Sequence, residues 1–177
     1  MVKLLNKVIA AFGSSRITKD DARFSDVELL SQKLGQAGWY GLVGGHQGMM
    51  AAFSQGITAG SGHVTGVTLD VFPTPPQNSL SEEKRASDFF ERMQILIEQP
   101  SAYLVLPGGL GTLAEFAMTW DLLAIKILEP RPLLVYGACW EPLIAMMQQQ
   151  LVMSVDSGFQ CIQYCETHED VLAALAV

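Results

Sequence analysis

With 177 residues, 49% hydrophobic and only 16% charged, the chain has the composition of a compact globular domain and not of a disordered segment. The formal net charge of −7, without any cluster of Lys or Arg, argues against a nucleic-acid partner. No apolar stretch reaches the length of a membrane span, so a cytoplasmic protein with no membrane partner is expected. Residues 1–177 are expected to form a single domain. Cys139, Cys161 and Cys165 are odd in number and poorly spaced for zinc, and read as reduced and mostly buried.

In chain order, the apolar run 7–12 reads as a first buried strand ended by Gly13-Ser14-Ser15. Lys3 and Lys7 lie in the N-terminal segment, but its apolar run ends at Gly13-Ser14-Ser15-Arg16 instead of extending into a signal or membrane segment. Ser25 and Asp26 then open a helix carrying Val27, Leu30 and Leu34, stopped by Gly38. A second strand over 39–43 leads into Gly44-Gly45-His46-Gln47-Gly48 and a small-residue helix over 49–59, where Ala51, Ala52 and Gly56 permit close approach to a sheet. A third strand covers 63–69. The Pro-rich segment that follows, with Pro73, Pro75 and Pro76, is a loop and a candidate lid. A helix is expected over 82–98, with Ala86, Phe89, Met93, Leu96 and Ile97 on its buried side.

The fourth expected strand, 102–106, feeds Pro107-Gly108-Gly109-Leu110-Gly111-Thr112-Leu113-Ala114-Glu115 into a helix. Leu113, Phe116, Ala117, Trp120, Leu123, Ala124 and Ile127 would form its broad apolar face. A strand over 133–136, a helix over 140–151, a strand over 161–164 and a helix over 168–176 complete the alternation. Trp39, Trp120 and Trp140 fall in apolar segments and read as packing or interface residues. This order indicates an α/β fold: an open, mostly parallel sheet with helices on both faces.

In such sheets ligands bind at the C-terminal strand ends. Segments 13–16, 44–48, 70–79 and 107–112 therefore share one rim. Glycines at strand-to-helix turns let a ligand approach the backbone, and the free N–H groups of a first helical turn point at an anion. Two such turns could surround one phosphate; the alternative is that both serve only tight packing. Thr112 would add a hydroxyl to the ligand or cap its helix. Neither turn matches a dinucleotide fingerprint or a P-loop.

These residues resemble the LOG family, cytokinin-activating nucleoside 5'-monophosphate phosphoribohydrolases once described as lysine decarboxylase-like. The resemblance rests on Gly13-Ser14-Ser15, on Gly44-Gly45-His46-Gln47-Gly48-Met49-Met50, on the 107–115 segment, and on Glu91-Arg92. It implies a Rossmann-like fold without a dinucleotide, usually a homodimer, that hydrolyses a nucleoside 5'-monophosphate to free base and ribose 5-phosphate. Carried over, Arg92 and Glu115 take the catalytic positions. The turns hold the 5'-phosphate, a role that extends over Gly13, Ser14, Ser15, Gly44, Gly45, His46, Gly48, Met49, Pro107, Gly108, Gly109, Gly111 and Thr112. Phe90 and Met93 stand where the family often has His and Lys. Related proteins include molybdenum cofactor carriers, which makes a non-catalytic carrier of a phosphorylated small molecule the alternative reading.

Cleaving a ribosyl C1'–N bond develops positive charge at carbon, which a fixed carboxylate stabilises while it activates water. Glu115 fits, set beside Thr112 and Thr119 at offsets of three and four. Arg92 would pair with Glu115 or contact phosphate. Arg16 also faces the rim. Arg85 is a second phosphate candidate or an ordinary surface ion pair, and Glu91 reads as structural. The histidines His46, His63 and His168 form no metal set, so neither a metal nor a cofactor is expected.

Overall fold

The structure, a computed structural model, describes residues 7–75 and 78–176. Lys3 and Pro76 of the sequence reading lie outside these. Among the described residues seven strands form one sheet: β1 (Val8–Phe12), β2 (Tyr40–Val43), β3 (Val64–Thr68), β4 (Glu82–Arg85), β5 (Ala102–Val105), β6 (Leu133–Tyr136) and β7 (Ile162–Cys165). They lie in the order β4-β3-β2-β1-β5-β6-β7, and every pairing is parallel. The chain winds outward from β1 to β4, then returns to the other side of β1 with β5. The loops after β1 and β5 thus diverge at a switch point, where open α/β sheets hold ligands.

Helices cover both faces, as the apolar strand composition requires. On one face lie α1 (Ala22–Gln36), α2 (Met49–Ala59) and α6 (His168–Ala174), packed over Ile9, Ala11, Val43 and Leu104. The other face carries α3 (Phe89–Glu98), α4 (Leu110–Ala124) and α5 (Trp140–Gln150), over Val8, Ala10, Phe12 and Val105. Alternate residues of β1 therefore enter opposite cores, the period-two consequence of a buried strand.

Several expectations are corrected. Residues 82–85 form an edge strand and not the start of a helix, because pairing with β3 outweighs the helix-forming composition of Glu82, Glu83, Lys84 and Arg85. Asp21, and not Ser25 or Asp26, caps α1, its side chain accepting from the Arg23 amide. A 3-10 turn (Gly158–Cys161) precedes β7 and removes Cys161 from that strand. Gly56 serves a helix pair and not the sheet: a side chain there would strike Glu28 and Ser31 of α1. Leu113 and Ile127 are exposed, because α4 ends at Ala124 and Leu113 points away from the Phe116–Trp120 side. Cys139 is exposed too, although all three cysteines are free.

The core under α4 is aromatic. Phe116, fully buried, stacks on Trp120 at 5.8 Å between centroids and meets Trp140 edge-on at 5.7 Å. The Trp140 indole donates to Leu106 O (3.2 Å) and that of Trp120 to Gly158 O (2.7 Å), so both buried N–H groups are satisfied. Phe116→Ala is expected to lower unfolding free energy by about 3–5 kcal/mol in urea titrations. A loss below about 1 kcal/mol would show that the site collapses without a cavity.

Candidate functional site

A cavity of about 630 Å³ opens along the rim from β3 to β5. Its walls include Gly13, Ser14, Ser15 and Arg16 after β1, Gly44, Gly45 and His46 after β2, and Gly109, Gly111 and Thr112 at the start of α4. Arg92 from α3 and Glu115 from α4 close it from one side. Most of the residues selected from the sequence are thereby brought together.

Four others build the frame behind the wall. Pro107 O accepts from the Ser14 amide at 3.0 Å, and the Met49 amide donates to Ser14 O at 2.8 Å. Gly48 has φ +60°, and a side chain on it would collide with Ser14 O and Ser15. A side chain on Gly108 would strike that of Thr112. Gly109 and Gly111 differ: nothing lies within 4 Å of where their side chains would begin, so their space opens to a ligand.

Helix ends supply the positive potential. Side chains cap α1, α3 and α6 through Asp21, Asp88 and Thr167, whereas α2, α4 and α5 have no side-chain cap, and of these α2 and α4 begin at the rim, at Gly48 and Gly109. The orphan amides of the first turn of α4 therefore face the cavity unneutralised. Such an end contributes about 0.3–1 kcal/mol toward an exposed anion and up to ~2 when partly buried.

Arg92 is held tightly. Its Nη2 donates to Gly44 O at 2.7 Å and its Nε to Val67 O at 3.2 Å. Gly44 is required here, because a side chain would displace that guanidinium. Nη2 lies 3.6 Å from Glu115 Oε1, with both side chains only 13% exposed. Burial pushes the Glu115 carboxyl up to about 7, and the attraction of Arg92 offsets only part of that rise. A carboxyl titrating there can exchange protons at neutral pH.

Other selected residues sit elsewhere. Arg85 lies on β4, outside the cavity wall, with Nη1 2.6 Å from Asp70 Oδ1 and Nη2 3.6 Å from Glu83. Glu91 accepts from the Ser87 amide at 2.6 Å and so serves the start of α3. Phe90 is 79% exposed and Met93 is buried in the core; neither lines the cavity. Thr68, Leu69 and Phe89 line it without being among the expected site residues, and Phe72 lines it from the 70–79 segment expected on the rim. Phe89, expected on the buried side of its helix, is half-exposed. Its spacing from Arg92, three residues along one helix, is the signal that could have placed it here. Among the described residues no group of three or more His, Cys, Asp or Glu side chains comes together. No described helix is long and apolar enough to cross a membrane.

The raised Glu115 value makes stability depend on pH. Below its ordinary value of 4.5 the carboxyl is neutral in both folded and unfolded chains. As pH climbs from 4.5 the unfolded chain gives up this proton while the folded one keeps it, so stability is lost progressively until the folded carboxyl too ionises at about 7. The loss approaches about 3 kcal/mol well above that pH. Glu115→Gln removes it, so the melting temperature of the variant minus that of wild type should grow between about pH 5 and pH 8.5. A difference that is flat or shrinking would contradict the burial argument.

The family model described as "Possible lysine decarboxylase" matches residues 50–175. Three proteins of Oryza sativa subsp. japonica, each named probable cytokinin riboside 5'-monophosphate phosphoribohydrolase, are 30% identical over 148 to 155 residues. The matches cover 72% to 85% of this chain and 59% to 69% of those proteins. Among solved structures, the molybdenum cofactor binding protein of Rippkaea orientalis aligns over 98% of both chains at a TM-score of 0.74 and 17% identity. The molybdenum cofactor carrier protein of Chlamydomonas reinhardtii aligns over 97% of both at 0.71 and 17%. At such identities the likeness is one of fold. The sequence matches carry more, and by them the chain belongs to the LOG family of lysine decarboxylase-like proteins.

Proposed function

We propose that this protein hydrolyses the N-glycosidic bond of a nucleoside 5'-monophosphate, AMP or N6-modified AMP, to free base and ribose 5-phosphate. The observation that carries the reading is Glu115, a buried carboxyl titrating near neutrality beside Arg92, one turn along α4 from that helix's uncapped start in the cavity wall. The names of the curated relatives support the same activity.

The 5'-phosphate lies against the amides of Gly109, Gly111 and Thr112, with Arg16 as the cation on the opposite loop. Ionised Glu115 faces the ribosyl carbon and stabilises the charge that develops there. The C1'–N bond breaks, a water oxygen bonds to C1', and Glu115 passes the water's proton to the departing base. Arg92 holds Glu115 in place and keeps a fraction of it ionised. Self-association as a homodimer or higher assembly belongs to the same reading, supported by the exposed apolar side chains of Leu110, Leu113 and Met118 on α4 and of Ile125 just after it.

A second reading makes the cavity a carrier site for a phosphorylated small molecule such as molybdenum cofactor. The near full-length likeness to proteins named for that ligand favours it, as do Phe90 and Met93 in place of the family's frequent His and Lys. Native mass spectrometry of freshly purified protein separates the two, since a carrier retains its cargo.

Incubation with AMP and N6-substituted AMP, followed by chromatography of free base, is the direct test. Base release is expected, with kcat/KM rising about tenfold per pH unit up to about pH 7. Glu115→Gln should abolish turnover and keep nucleotide binding; no release from any of a broad panel of monophosphates overturns the reading.

Gly111→Ala probes the phosphate wall separately. Alanine there meets no neighbour and favours the helix, so thermal stability is expected to hold or rise. AMP affinity should fall, because the methyl group occupies the space above the amides. Unchanged affinity would move the phosphate elsewhere.

A further inference from the structure

The strand order dictates how a ligand lies along the rim. β3, β2, β1 and β5 are consecutive neighbours, so the cavity spans about 14 Å from the end of β3 to the end of β5. The uncapped start of α4 follows β5 and marks the anionic end. Arg92 bridges Val67 O and Gly44 O, over the ends of β3 and β2. Beyond it, away from the phosphate wall, the cavity ends against Leu69, Phe72, Phe89 and His46.

Two features distinguish this end. Phe89 presents a half-exposed ring, with the Arg92 guanidinium carbon 6.0 Å from its centroid, although its neighbours Met93 and Leu96 on α3 are buried. His46 carries a buried Nε2 with no hydrogen-bond partner among the described residues. A buried nitrogen left unpaired costs free energy, and a group that arrives with a ligand accounts for it. Of the described side chains with such an orphan atom, His46 is the one in the cavity wall.

We infer that this end is the base subsite: Phe89 stacks on the face of a planar nitrogen heterocycle, and His46 Nε2 hydrogen-bonds its edge. The assignment rests on the nucleotide reading above and adds the residues that choose among bases. Phe89 supplies affinity for any flat ring, since every base has a π-face. His46 discriminates, because a base that presents no partner leaves its nitrogen unpaired.

The test compares AMP with ribose 5-phosphate, which keeps the sugar and phosphate but lacks the base. Calorimetric titrations of wild type, Phe89→Ala, Phe89→Trp and His46→Leu provide the comparison. Phe89→Ala and His46→Leu should each weaken AMP binding about tenfold or more and leave ribose 5-phosphate within about twofold. Phe89→Trp should retain AMP binding. In turnover, KM for AMP should rise more than kcat falls, and His46→Leu should narrow the preference between AMP and GMP. Equal weakening of both ligands, or unchanged AMP binding in both variants, overturns the assignment while wild-type base release keeps the nucleotide reading intact. A wild type that binds ribose 5-phosphate but no nucleotide removes both.

Discussion

The backbone of Ser14 ties the functional rim together. Its amide donates to Pro107 O and its carbonyl accepts from Met49, so one residue joins the loop after β1 to the loop after β5 and to the start of α2. Those contacts set the uncapped starts of α2 and α4 relative to each other. They also demand a backbone close to Ser14 on the α2 side, which Gly48 allows and a larger residue would block. Much of the glycine at this rim is therefore a condition for assembling the cavity; the open glycines, Gly109 and Gly111, are the ones left for a ligand.

Within that frame two opposed electrostatic demands meet. The helix starts favour negative charge, yet burial pushes the carboxyl of Glu115, one turn inside α4, up to about 7. Desolvation prevails over Arg92 because the arginine spends its best hydrogen bonds on the carbonyls of Gly44 and Val67, leaving a 3.6 Å approach to the carboxyl. An arginine closing fully on Glu115 would stabilise the anion and remove its ability to take a proton at neutral pH. The two backbone carbonyls that restrain Arg92 are thus part of the chemistry of Glu115.

Local signals made much of this legible. The helix over 49–59 falls where glycine punctuation and small apolar residues put it, whereas the buried side of α4 runs through Thr112, Phe116 and Thr119 and so takes in Glu115 and leaves out Leu113. What stayed hidden depended on partners far along the chain. Glu82 to Arg85 are good helix formers, and only alignment against Thr65 to Thr68 makes them a strand. Phe89 has the hydrophobicity of a core residue and the right helical phase for one. Its exposure follows from Arg92 reaching across two strand ends, a contact over 48 residues of sequence to Gly44. The unpaired nitrogen of His46 has no trace in composition or periodicity at all.

The edge strand β4 has a consequence for the molecule in crowded solution. An open sheet edge offers unpaired backbone groups to any passing strand. Here that edge consists of four consecutive charged residues, two acids, a lysine and an arginine, all exposed. A foreign strand docking against it would have to desolvate this row or match its pattern of two acids followed by two bases. The border of the sheet is therefore guarded against fibrous extension by the same four residues whose charge makes them resemble a helix.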